Sequence, residues 1–331
     1  MADPGWPIDF EALRYEPLGG RSSKVGLGNL GQPSRATGSI RDWLIGLPDA
    51  PGVRSLRDLG DAIVEARSAG RPVLVALGGH VIKTGCGPFL VDWIDQEAIT
   101  GVAMNGSAAI HDLELAVAGR TSEDVGPSLE AGSFGFARET SDLFVEACRR
   151  AAETGNGLGR ALGEVVLDAG GPGLDSSLLV AAVRRGVPAT VHVAVGTDIV
   201  HMTPRLDGSA LGRATLDDFR TLCGLVAGLQ GGVWMNLGSA VVLPEVFLKA
   251  VAVAKNLGYS LDRMTTANLD LTQQYRATWN VLARPGGRGI ALVGHHEILI
   301  PLLHLLVDSG RGRGASPRPP SEDPDESTAR S

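Results

Sequence analysis

The stretch "VLVALGGHVIKTGCGPFLVDWI", Val73 to Ile94, runs from an unbroken apolar segment through two glycines into apolar positions repeated at helical spacing. Such a run predicts a buried strand, a tight turn and an amphipathic helix. The same order recurs along the chain. "ITGVAMNGS" precedes "AAIHDLELAVAG", "VPATVHVAVGTD" reads as a further strand, "GGVWMNLGSA" precedes "VVLPEVFLKAVAVAKNLG", and "GIALVGHHE" precedes "ILIPLLHLLV". Each strand is almost continuously apolar, as parallel strands covered on both faces are. The expected class is therefore α/β: an open, mostly parallel sheet with helices on both faces.

Outside these units the chain is less regular. Residues 1–38 are rich in Gly, Pro, Ser and Arg and read as an irregular N-terminal segment, residues 39–307 as a single α/β domain, and residues 308–331, "DSGRGRGASPRPPSEDPDESTARS", as a disordered tail with no apolar stripe. With 331 residues, 44% of them hydrophobic, the chain can bury a substantial core. The net charge of -7 argues against a nucleic-acid partner, which needs clustered Lys and Arg. Cys86, Cys148 and Cys223 are far apart and form no CxxC pair, which fits a reducing compartment. The early acidic residues do not resemble a secretory leader, and no apolar run is long enough to span a bilayer. A cytoplasmic protein with no membrane partner is expected.

Function is carried by where the polar residues fall. The strands end in "GGHVIKTG", "MNGSAAIHD", "VHVAVGTDIVH", "NLGSAVVLPE", "TTANLD" and "GHHE". In a parallel sheet the carboxyl edge is where ligands bind, because loops and helix N-termini with unpaired N–H groups meet there. Gly78, Gly79, Gly106 and Gly238 are candidates for close backbone approach to a ligand, and Thr84, Ser107 and Ser239 offer hydroxyls beside helix N-termini suited to phosphate. "TGNGLGRALG" resembles a dinucleotide fingerprint, but it follows a helical segment where the fingerprint requires a strand, so it reads as a connection between helices. "LDAGGPGLDSS" reads as a loop whose Asp175 or Ser176 caps the helix "SLLVAAVRRG".

The order of these strand-end motifs resembles the deoxyhypusine synthase superfamily, an NAD-binding α/β fold, over roughly Pro72 to Val307. The resemblance implies NAD as cofactor, held by His80 and Thr84 of "HVIKTG", by Asn105, Gly106 and Ser107 of "MNGSAAIHDLE", by Gly238, Ser239 and Ala240 of "NLGSAVV" against the pyrophosphate, and by Asp270 of "TTANLD". It places His111 and Asp112 near the ribose and matches Asp198 of "VGTDIVH" to an aspartate of the family. "GHVIKTG" and "MNGSAAIHDLELAVAGRT" are also similar to NAD-using ornithine cyclodeaminase-like proteins. These likenesses imply a polyamine or basic amino acid substrate and, by analogy, a homotetramer. The chain departs from deoxyhypusine synthases at the imine-forming lysine. Where that family has Trp-Gly-Lys, "ATWNVLARP" has Trp279, Asn280 and Val281, leaving Lys83 as the lysine within a strand-end motif.

From the residue types, His111 and His296 are candidates for general acid–base work, and Asp198, Glu245 or Asp270 for receiving a substrate amine. Oxidation at the carbon bearing that amine gives an imine, open to transfer, cyclisation or hydrolysis. Two other readings stay open. Six of the 7 histidines, all but His304, sit in strand-end motifs and with nearby carboxylates could serve a metal-dependent hydrolase. Alternatively, the fold is a non-catalytic nucleotide-binding protein.

Overall fold

The computed structural model describes residues 43, 44 and 46–310. The chain divides into two compact units, residues 1–53 and 54–331. The expected boundary at residue 38 lies outside the described residues, as does all of the expected tail beyond residue 310. Helix α1 (Pro51–Ser68) is followed by Gly70 in the left-handed region at φ +62°.

The sheet belongs to the second unit. Its strands are β1 (Val73–Leu77), β2 (Gly101–Asn105), β3 (Ala189–His192), β4 (Val233–Leu237), β5 (Thr265–Asp270) and β6 (Arg288–Val293). They lie in the order β3-β2-β1-β4-β5-β6, and every neighbouring pair is parallel. The sheet is thus wound outward in both directions from β1 and β4. In sheets of this kind ligands bind outside the strands' carboxyl ends at such a switch point.

The quoted stretch folds as its pattern predicts. Val73, Val75 and Leu77 of β1 enter one buried cluster, while Leu74 and Ala76 enter the other. The period of two thus feeds apolar side chains to both faces, and this is why the strand is apolar throughout. On one face pack α2 (Gly79–Lys83), α3 (Gly87–Asp95), α4 (Gly106–Ala118), α6 (Arg138–Thr154), α7 (Leu158–Ala169) and α8 (Leu178–Arg185). Between α4 and α6 a short helix, α5 (Val125–Glu130), buries none of its residues. On the other face α9 (Gly208–Ala227) and α10 (Val242–Asn256) pack on Trp234, whose indole stacks on Phe247 at 4.1 Å. The final helix, α11 (His296–Gly310), returns to the first face.

Two loop readings can be compared with the structure. "TGNGLG" does connect two helices, with Gly155 as the left-handed end of α6. The cap of α8 falls later than expected. Residues 174–176 form their own 3-10 turn, so Ser177, not Asp175 or Ser176, becomes the N-cap and accepts a hydrogen bond from the Val180 amide.

Candidate functional site

The carboxyl ends of β1, β2 and β3 border a cavity of about 980 Å³. Lys83 reaches its wall from α2, Ser107, His111 and Glu114 from α4, Thr197 and Asp198 from the loop after β3, Arg120, Thr121, Glu123 and Phe136 from the excursion around α5, and Glu139 from the first turn of α6. Glu114, Glu123, Glu139 and Asp198 set four carboxylates against the two cations Lys83 and Arg120. The lining is therefore acidic on balance, which favours a cationic guest. The excursion is tied back where the Gly135 amide donates to Glu123 Oε2 at 2.8 Å. Gly135 has φ +77°, and a Cβ there would meet Met202 and Ile199 within 2.7 Å, so glycine is required by both conformation and space.

One wall carries a connected polar chain. His111 Nδ1 lies 2.7 Å from Thr121 Oγ1, the Thr121 hydroxyl donates to Glu114 Oε2, and the Thr140 hydroxyl donates to Glu114 Oε1 at 3.0 Å. Burial lowers the His111 pKa; the Glu114 charge works against this and Lys83 works with it. Burial thus favours the neutral ring over the imidazolium. Burial raises the Asp198 pKa, an effect moderated by His201, whose backbone N–H donates to the Asp198 carbonyl at 3.0 Å while its own Nδ1 accepts from the Asp198 amide.

The glycines at the strand ends have a different role from the one expected of them. A Cβ on Gly78 would lie 2.3 Å from the Gly238 carbonyl oxygen, one on Gly79 would lie 2.3 Å from Ser107 Oγ and 2.9 Å from His111 Cδ2, and one on Gly106 would lie 2.0 Å from Asp198 Oδ2. Protein atoms fill the space beside all three. The close approach is between strand ends, and it draws Ser107, His111 and Asp198 to the same place.

Several other candidates are engaged elsewhere. Asp112 is corrected from a site residue to a structural one. It is 2% exposed, accepts from the amides of Leu178 and Leu179 and from the Ser177 hydroxyl, and so holds the N-terminus of α8. Burial pushes its pKa up to about 6 against those hydrogen bonds. Asn105 caps its own helix, accepting from the Ala108 amide at 2.8 Å. Thr84 turns back onto the His80 and Val81 carbonyls. Glu245 pairs with Lys249 and Arg276 and accepts from Asn280, apart from the cavity. Asp270 accepts from the Leu271 amide. Among the described residues no three His, Cys, Asp or Glu side chains converge to hold a metal, and the hydrolase reading gains nothing from the histidines. His192 is 4% exposed beside Thr190, and His304 hydrogen-bonds Asp92.

The remaining candidates lie at the switch point. His296 is 1% exposed; its Nε2 bonds the Leu269 carbonyl at 3.0 Å, so Nε2 carries the hydrogen and Nδ1 is a buried acceptor with no partner among the described residues. His80, exposed, stands edge-on to it at 5.6 Å. Gly238, at φ +60°, fits beneath the His296 ring, where a Cβ would come within 2.8 Å of Cε1. Ser239 is 3% exposed and its Oγ accepts from the Leu243 amide at 3.3 Å, while Val241, the N-cap of α10, supplies no side-chain cap. Ala240 lies between them, half-buried. Ser239 already takes the Leu243 amide and Pro244 has no N–H, so the orphaned His296 acceptor is the group left to meet an N–H or O–H donor of a ligand.

No family model matches the chain, and no curated protein matches its sequence. Solved structures do match its shape. A LOR/SDH protein of Methanococcus maripaludis is 14% identical with a TM-score of 0.50, over 79% of this chain and 71% of that one. AgrE in ternary complex with ornithine and NAD+ is 15% identical with a TM-score of 0.50, over 77% of this chain and 32% of AgrE, so this chain spans about a third of AgrE's length. A protein of Entamoeba histolytica assigned as a deoxyhypusine synthase is 9% identical with a TM-score of 0.52, over 84% of this chain and 96% of that one. No described helix is long and apolar enough to cross a membrane. What this chain has in common with these proteins is its fold: a six-stranded, all-parallel α/β sheet flanked by helices.

Proposed function

We propose that the chain is an NAD-dependent enzyme that oxidises the amine-bearing carbon of a small cationic substrate. The observation that carries this reading is the acidic cavity at the carboxyl ends of β1–β3, whose wall carries the His111 imidazole. NAD, when bound, supplies the hydride acceptor. The residues fit to hold it are Gly238, Ser239 and Ala240 at the N-terminus of α10, together with His296 Nδ1 and His80. The sheet order supports this, because dinucleotides bind at such switch points. AgrE, which shares the fold, has been solved with NAD+.

The chain's own residues account for the rest. Asp198 and the other carboxylates of the lining attract an ammonium group, and Lys83 and Arg120 offer a counter-site for any carboxylate the substrate carries. His111 takes a proton from the ammonium, leaving the free amine whose lone pair assists hydride departure. Wild-type protein titrated calorimetrically with NAD+ should show saturable binding. NADH should then appear with one of spermidine, putrescine, ornithine or arginine. Asp198→Asn keeps the size of the side chain and removes its charge, and should retain NAD+ binding while losing turnover. Absence of NAD+ binding in the wild type would remove the proposal, and full turnover in Asp198→Asn would remove the assigned role.

A further inference from the structure

We propose that Glu114 and Thr121 are positioning residues that hold His111 in its Nδ1–H tautomer and so present Nε2 to the cavity as a proton acceptor. The argument is one of hydrogen count. The Thr121 hydroxyl has one proton and gives it to Glu114 Oε2, and an ionised carboxylate only accepts. Toward His111, 2.7 Å away, Thr121 Oγ1 can then only accept, so Nδ1 must carry the hydrogen. Thr140, 5% exposed, fixes the second carboxylate oxygen by donating to Oε1 at 3.0 Å.

The covalent geometry explains how the three groups meet. His111 and Glu114 are three residues apart on α4 and share a face. Gly119 ends that helix at φ +66° and turns the chain back, bringing Thr121 between them. The other ring nitrogen makes no hydrogen bond among the described residues, and the ring edge beside it, Cδ2, faces Gly79. The tautomer set by the relay is the one that neutral imidazole in water disfavours, so the protein must impose it.

On proton uptake Nε2 gains the hydrogen, Nδ1–H stays on Thr121, and Thr121 stays on Glu114. No proton passes along the chain; the carboxylate one hydroxyl away stabilises the imidazolium. The charged groups facing His111 in the cavity are Glu114, Lys83 and Asp198. Its role as base rests on the proposed function, but the tautomer does not, and the two can fail separately.

The test is long-range nitrogen–proton correlation spectroscopy on nitrogen-15-labelled full-length chain, with the His111 signals assigned by comparison with His111→Gln. Wild-type protein, at a pH where the ring is neutral, should give the Nδ1–H pattern. Thr121→Val should shift it toward Nε2–H, and Thr121→Ser should restore it. In the turnover assay Thr121→Val should lower kcat by roughly ten- to a hundredfold with KM little changed, and Thr121→Ser should recover most of the loss. An Nε2–H pattern in the wild type, or a tautomer unmoved by Thr121→Val, overturns the relay. The Nδ1–H pattern in a chain that oxidises no amine upholds the relay and removes the amine reading instead.

Discussion

Replacing Gly78 by alanine tests whether the switch point is closed by backbone packing. Gly78 has φ -92° and ψ 165°, a conformation open to any residue, so the substitution carries no dihedral penalty. Its cost is the contact. The new methyl would sit 2.3 Å from the Gly238 carbonyl oxygen and 3.0 Å from its carbon, and the Gly78 amide already bonds the Leu237 carbonyl at 2.9 Å. Relief requires the ends of β1 and β4 to separate by about 1 Å, which weakens that hydrogen bond. Overpacking of this kind costs about 1–3 kcal/mol and the strained bond about 1 more, so a loss of about 2–4 kcal/mol is expected. For a domain of this size that is a fall in melting temperature of about 5–15 °C. Thermal and urea unfolding of Gly78→Ala against wild type provide the assay. Gly212→Ala is the control: it lies inside α9 with nothing within 4 Å of its added Cβ and should stabilise by about 0.5–1 kcal/mol through helix propensity. A melting temperature for Gly78→Ala within about 1 °C of wild type would show that the strand ends are not packed as described.

Burial depresses His192 to about 4 from an ordinary 6.5, so its contribution to stability is present above pH 6.5 and is lost as pH falls toward 4. Between pH 7 and pH 5 the wild type should lose about 2 kcal/mol that His192→Leu does not lose, as read by denaturant midpoints across that range. Asp112 runs the other way: its pKa is raised to about 6, so its contribution is fully present below pH 3.8 and declines as pH rises through 6. Asp112→Asn should abolish that slope and, by setting an amide N–H against the donors of α8, destabilise by about 1–3 kcal/mol at pH 7, with amide exchange in α8 as the local readout. Phe247→Ala removes the ring stacked on Trp234 and should cost about 3–5 kcal/mol, seen as a lower urea midpoint with unchanged slope.

The sheet was legible because parallel strands buried on both faces leave a coarse mark, short apolar runs ended by small residues, and β1, β2 and β4 follow it. The site was legible only in part. The resemblance places His111 and Asp112 together near a ribose, but successive residues on a helix point about 100° apart, so one faces the cavity and the other the core. Glu114 was the detectable partner, three residues on from His111 and on the same face. Thr121 and Thr140 carry no local signature, since they reach Glu114 through a left-handed turn and a 26-residue separation that no motif encodes. The glycines were read as sites of close approach to a ligand, whereas the atoms beside Gly78, Gly79 and Gly106 belong to neighbouring strand ends, a difference that composition does not encode.

Helix α5 forms part of the cavity's roof through Val125 and adds no buried side chain to either cluster. A segment that supports nothing beneath it can drift in length and composition while the sheet stays as it is. Substrate choice can therefore diversify among relatives of this chain, or be rewritten by grafting residues 122–134, without renegotiating the core.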